Sequence, residues 1–212
     1  METGTGAGYV FFRVDMRFLI ALLFLGLLPA AAQKPFSRDL RERSQSMAPY
    51  VTSPQPIVDR MLDLADIKPG ETVYDLGCGD GRVLVTAARK YRAKAVGVEL
   101  SEKLVEMTTD LVKRLGLQDQ IKVLHGHLLD INLSDADVVT IYLETSSNEL
   151  LRPNLEKYLK AGSRVVSHDF EVRGWKPVKV DKMEAYNRDH LIFLYQIPIS
   201  LKNSSKRTEA RR

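Results

Sequence analysis

Val73-Tyr74-Asp75-Leu76-Gly77-Cys78-Gly79-Asp80-Gly81-Arg82 decides the fold: a short β-rich run meets three glycines at alternate positions and then turns helical. Glycine carries no β-carbon, so Gly77 and Gly79 let a ligand approach the main chain, and amides at the start of the following helix favour a carboxylate or phosphate. Asp75 places an acid at the end of this strand, and Glu99 closes the next strand 18 residues beyond Gly81. An acid at that second tip can accept hydrogen bonds from both hydroxyls of a ribose, at the switch point of a doubly wound sheet. A dinucleotide dehydrogenase would space its glycines as Gly-x-Gly-x-x-Gly, whereas here they fall at 77, 79 and 81.

Outward from the turn, strands and helices alternate. Apolar residues at 57, 58, 61, 62, 64 and 65 predict a helix over Ile57–Ala65, broken by Lys68-Pro69-Gly70. Strands follow at Thr72–Leu76, Ala95–Leu100, Ile121–Leu124, Val138–Leu143 and Arg164–His168, separated by helices at Gly81–Tyr91, Glu102–Leu115 and Glu149–Leu159. Such alternation means a parallel sheet covered on both faces. The end differs: Val178–Ala185 and His190–Ile197, joined by Asn187-Arg188-Asp189, read as an antiparallel hairpin at the sheet edge.

The chain has 212 residues, 44% of them hydrophobic, with a net charge of +4 and one cysteine. Cys78 alone excludes an intrachain disulfide framework and a multi-cysteine zinc site. Lys202–Arg212 carries five basic residues and one acidic, so everything up to Leu201 is neutral and the basic tail reads as a solvated end. That distribution argues against a nucleic-acid partner, because phosphate binding needs a basic groove on the fold itself. Residues 18–28 are uncharged, follow Arg17 and precede Pro29-Ala30-Ala31-Ala32. Segment 1–32, with Met16 as an alternative start, therefore reads as a signal peptide or membrane anchor. This leaves the protein exported or membrane-associated, the latter with a cytoplasm-facing domain. A charged linker spans 33–48, the folded domain 49–201 and the basic tail 202–212.

At Asp75-Leu76-Gly77-Cys78-Gly79-Asp80-Gly81 the chain resembles the class I S-adenosylmethionine-dependent methyltransferases. The resemblance implies an α/β, Rossmann-like, doubly wound and mostly parallel seven-stranded sheet with an antiparallel C-terminal hairpin, and S-adenosylmethionine as cofactor. It further implies that Asp75, Gly77 and Gly79 hold the methionine part and Glu99 the ribose, with Cys78 filling a small position between the glycines. The family commonly places an acid after the third strand for the adenine amino group. Here that place reads Gly126-His127-Leu128, so a neutral imidazole stands where the acid would be, and Leu128 offers backbone atoms and an apolar contact.

Methyl transfer is a direct displacement and requires neither a protein nucleophile nor a metal; the protein aligns the attacking atom and strips its water. No Asn/Asp-Pro-Pro-Tyr/Phe tetrad follows the fourth strand, which argues against base and amide nitrogens as acceptors. Pro49-Tyr50-Val51-Thr52-Ser53-Pro54, Ser167-His168-Asp169-Phe170 and Gly174-Trp175-Lys176-Pro177 instead resemble the protein-lysine methyltransferase family that includes the mitochondrial ATP synthase c-subunit lysine methyltransferase and its bacterial relatives. That resemblance implies a protein lysine as acceptor and a membrane surface as a partner. A lysine must lose its proton, which burial against aromatics assists. Tyr50, Tyr142 and Trp175 are candidates for an apolar channel, and Glu144 for orienting the amine. Two rivals remain: methylation of a phenol, thiol or quinone-like lipid, and cofactor binding without catalysis.

Overall fold

The computed structural model describes residues 50–198. The signal-like segment, the whole linker and the basic tail lie outside the described residues, within which no helix is long and apolar enough to cross a membrane.

Helix α1 (Gln55–Leu64) leads into strand β1 (Thr72–Leu76), followed by α2 (Arg82–Tyr91), β2 (Lys94–Glu99), α3 (Glu102–Arg114) and β3 (Ile121–His125). A short 3-10 turn (Leu128–Asp130) precedes β4 (Val138–Ile141), α4 (Thr145–Tyr158), β5 (Arg164–His168), β6 (Lys179–Ala185) and β7 (Arg188–Gln196). The seven strands form one sheet in the order β3-β2-β1-β4-β5-β7-β6. β7 runs antiparallel to both β5 and β6, while the other pairs are parallel, so the expected mixed sheet with a reversed C-terminal hairpin is present.

Side chains alternate across a strand, and each face of the sheet has its own core. Val73 and Val138 pack with Ile57, Leu84 and Ala87 on one face, whereas Tyr74 and Val139 pack with Leu133, Leu151 and Tyr195 on the other. Gly97 lies under the glycine-rich turn, where an added β-carbon would come within 2.6 Å of the Cys78 sulfur and of a Leu84 methyl. Only a glycine lets that packing close.

Several element ends shift by a residue or two from the sequence reading, and three departures bear on the site. The hairpin turns on two residues, Tyr186 and Asn187, both with positive φ (49° and 60°), and Ala185 pairs directly with Arg188. Arg188 and Asp189 belong to β7, because a two-residue turn of that handedness matches strand twist. Helix α4 begins at Thr145, four residues before the expected Glu149. Thr145-Ser146-Ser147-Asn148 is turn-prone by composition, but buried Asn148 donates through Nδ2 to the carbonyls of Phe170 and Glu171, both at 3.2 Å, which holds that first turn in place. Strand β4 ends at Ile141, which releases Tyr142 and Leu143 from the sheet.

Candidate active site

Where the strand order reverses between β1 and β4, a cavity of about 570 Å³ opens over the strand ends, as expected of open α/β sheets. Asp75, Gly77, Glu99 and Leu128 line it toward β1–β3, Tyr142 lines it just past β4, and Tyr50 lines it from the approach segment over the turn after β1. Cys78, Gly79 and His127 also face it, so every residue expected at the cofactor end is gathered there.

The turn after β1 is fixed by its neighbours. The Gly77 and Cys78 amides donate to the Val98 carbonyl at 2.8 and 3.1 Å, which holds the loop against β2. Glu99 is clamped from two sides, its Oε2 accepting from the Gly79 amide at 3.0 Å and its Oε1 from the Ser101 amide at 2.9 Å. Thr108 on α3 donates to the Gly79 carbonyl at 2.6 Å, and its methyl fills the space that a β-carbon on Gly81 would need. His127 accepts through Nδ1 from the Leu129 amide at 3.3 Å and so caps the 3-10 turn beside the cavity.

Asp75 is buried and pairs in register with Thr140, whose hydroxyl donates to its Oδ1 at 2.7 Å. Burial raises this carboxyl from 3.8 to about 7; the Thr140 hydrogen bond opposes the shift, and the charges of Asp80 and Glu99 add to it. The Cys78 thiol is likewise pushed up, by burial first and then by Asp75 and Glu99, so it stays protonated and is no nucleophile.

On the other side the approach segment is tied down. Arg82 pairs with Asp80 and donates through Nη1 to the Ser53 carbonyl at 2.7 Å, so residues 50–53 hang from the cofactor turn. The Tyr50 ring, 57% exposed, lies over Gly79, where a β-carbon would come within 2.7 Å of it.

Two expected acceptor-side residues lie elsewhere. Trp175 is buried in the core of the Tyr195 face, edge-on to Tyr195 at 5.5 Å, with Nε1 donating to Glu156 at 2.8 Å. The loop after β5 folds back onto α4 and carries the indole away from the cavity. Glu144 is exposed at the start of α4 and does not line the cavity.

A polar cluster is buried behind the cavity wall. His168 at the end of β5 is fully buried, its Nδ1 2.8 Å from the Ser53 hydroxyl and its Nε2 2.8 Å from His190 Nδ1. Asp169 Oδ2 lies 3.3 Å from each of those latter two ring nitrogens. The three side chains bring ligand atoms within 4.8 Å of one another, but Arg188 already supplies a cation there, pairing with Asp169 and reaching His190 Nδ1 at 3.0 Å. Tyr142 covers the cluster, its ring 3.9 Å from that of His168 and its hydroxyl 3.4 Å from Asp169. Burial lowers His168 from 6.5 to about 4, Asp169 opposing and His190 and Arg188 adding to the shift, so the ring is neutral near pH 7. Ser53 and His190 were legible as polar residues, yet no spacing joins positions 53, 168 and 190.

Residues 75–179 match the family model described as the ANTKMT methyltransferase domain. A protein-lysine N-methyltransferase of Saccharolobus islandicus is 44% identical over 150 residues, which cover 70% of this chain and 93% of that protein. The adenine nucleotide translocase lysine N-methyltransferase of Mus musculus is 33% identical over 144 residues, 66% of this chain and 62% of that one. Among solved structures, an RNA methyltransferase from Salinibacter ruber in complex with S-adenosyl-L-homocysteine superposes with a TM-score of 0.66 at 40% identity, covering 70% of this chain and 94% of its own. Fold, cavity and relatives define a class I S-adenosylmethionine-dependent methyltransferase, with S-adenosylmethionine as its cofactor. Within that class the chain belongs to the family of the ANTKMT methyltransferase domain. The cavity suits the cofactor: Gly77 leaves its backbone open, a buried acid and a clamped acid stand on either side of the turn, and Leu128 adds an apolar surface.

Proposed function

We propose that this protein methylates the ε-amine of a lysine in a protein. The observation that carries the reading is the 44% identity, over nearly its whole length, to a protein-lysine N-methyltransferase. The mouse relative named for lysine methylation points the same way.

The lining of the cavity supports a division of roles among its residues. Asp75 faces the cationic amino acid end of the cofactor and Glu99 its ribose hydroxyls, with His127 and Leu128 at the adenine end. Bound there, S-adenosylmethionine supplies an electrophilic methyl on a sulfonium. Tyr50 and Tyr142 line the remaining wall, where aromatic faces favour a cation on arrival and exclude water once the neutral amine is seated.

RNA as acceptor is the second reading, favoured by the description of the Salinibacter ruber protein. Charge weighs against it, since residues 50–198 carry 20 Lys+Arg against 22 Asp+Glu, a net −2 without the basic excess that phosphate binding requires. Incubation of the purified protein with labelled S-adenosylmethionine, a protein extract and total RNA decides between them. Nε-methyllysine recovered after acid hydrolysis is the expected product; label in nucleosides alone would overturn the lysine reading.

A further inference from the structure

Between the cavity and the hairpin edge runs a chain of hydrogen bonds whose direction is fixed at one end. Arginine has donors only, so the Nη2 of Arg188, paired with Asp169 and 3.0 Å from His190 Nδ1, favours an acceptor at that nitrogen. His168 Nε2, 2.8 Å from the same atom, must then carry the proton and donate, shared between His190 Nδ1 and Asp169 Oδ2. With its hydrogen on Nε2 and the ring neutral, His168 Nδ1 bears a free lone pair and accepts from the Ser53 hydroxyl at 2.8 Å. The opposite direction would turn a His190 N–H toward Asp169 Oδ2 at 3.3 Å but against the guanidinium N–H at 3.0 Å, the closer of the two contacts.

Ser53 lines the cavity and has spent its only hydrogen on His168, leaving its oxygen with lone pairs alone to offer. We infer that Ser53 is a hydrogen-bond acceptor for the incoming amine, turned to that role by His168 and, through it, by His190, Asp169 and Arg188. The inference rests on the lysine reading and deepens it. A neutral amine that gives an N–H to Ser53 has its lone pair steered away from that oxygen and toward the methyl. A ground-state ammonium is held by the same contact, so the site needs no carboxylate at this point. No proton enters the chain: the lysine ammonium gives its proton to bulk water at the cavity mouth before transfer, Ser53 keeps its hydrogen and His168 stays neutral, consistent with its burial. Every charged or titratable group facing His168 belongs to the set: Asp169 beside it, His190 and Arg188 from β7, and Tyr142 stacked on its ring. Ser53 touches the acceptor; His168 is a positioning residue.

The test has two arms on the full chain. The first is NMR of protein carrying 15N-labelled histidine, which reads the tautomer directly. His168 protonated on Nε2 and bare on Nδ1 is expected, and the reverse tautomer would overturn the inference whatever the acceptor proves to be. The second measures Nε-methyllysine formation in a protein extract at saturating S-adenosylmethionine. Ser53→Ala should lower the rate on the order of 10- to 100-fold at unchanged affinity for S-adenosylhomocysteine, and Ser53→Thr, which keeps the hydroxyl, should recover most of it. His168→Leu should behave like Ser53→Ala. Wild-type rates in Ser53→Ala would overturn the inference while leaving lysine methylation intact. A wild-type protein that makes no methyllysine would instead sink the lysine reading.

Discussion

Asp75→Asn should abolish one specific pH dependence of stability in the ligand-free protein. The carboxyl is buried and raised from 3.8 to about 7, so across that window the folded state holds a proton that the unfolded chain has lost. Its contribution to stability is complete below 3.8, falls as pH rises and has gone once pH passes about 7. The separation corresponds to about 4 kcal/mol. Asparagine keeps an oxygen for the Thr140 hydroxyl and never ionises. His168 works in the opposite sense: its folded value of about 4 lies below its ordinary 6.5, so stability it supports above 6.5 is lost as pH falls toward 4. Wild-type stability alone would blur the two, and the difference between variant and wild type isolates Asp75. Urea denaturation at several pH values should show that difference near zero at pH 4, growing to as much as about 4 kcal/mol in favour of the variant by pH 7 and flat above. A difference that stays constant from pH 4 to 8 would refute the argument. The cofactor side follows from the same linkage. A cationic ligand beside Asp75 favours the carboxylate, so wild-type affinity for S-adenosylmethionine should weaken up to about tenfold per pH unit below 7, measured by calorimetry.

Glu99→Ala removes a carboxylate already aimed by two backbone amides, and should weaken S-adenosylhomocysteine binding about 100-fold or more in calorimetry. Gly81→Ala puts a β-carbon within 2.5 Å of the Thr108 methyl at a φ of +75°, so it should cost about 2 kcal/mol or more in denaturant unfolding. Adding Thr108→Ser, which deletes that methyl and keeps the hydroxyl on the Gly79 carbonyl, should recover part of the loss. Glu144→Gln, exposed and off the cavity wall, should leave turnover within about twofold in the methyl-transfer assay. Mass spectrometry of the protein recovered from its native host should find Gln33 at the amino terminus if segment 1–32 is a cleaved signal; an intact segment points to an anchor.

That Asp75, the glycine-rich turn and Glu99 share one end of the cavity was legible because they are local in sequence. Asp75, Gly77, Cys78 and Gly79 sit in one turn, and Glu99 follows at the distance one helix and one strand impose. The Ser53–His168–His190 cluster is assembled from three remote places, and sequence carries no spacing for them. Trp175 stood near suggestive residues and looked like a channel wall, yet its polar indole nitrogen found Glu156 on α4 and its ring found Tyr195, which drew it into the core. Tyr142 falls inside the fourth strand when that strand is drawn to Leu143; ending it at Ile141 leaves the ring over His168. Helix α4 started early for a similar reason, since Asn148 satisfies carbonyls that only the folded chain brings near.

The reversal of β7 has an architectural consequence. In a wholly parallel sheet, residues that begin a strand sit at the edge opposite the ligand. Because β7 runs against β5, its opening residues Arg188 and His190 arrive beside the closing residues His168 and Asp169. The hairpin tip thereby becomes a third supplier of side chains to the catalytic edge, separate from the turns that grip the cofactor. On the role proposed for Ser53, substitutions in that tip change how an acceptor is received while the turn after β1 stays as it is.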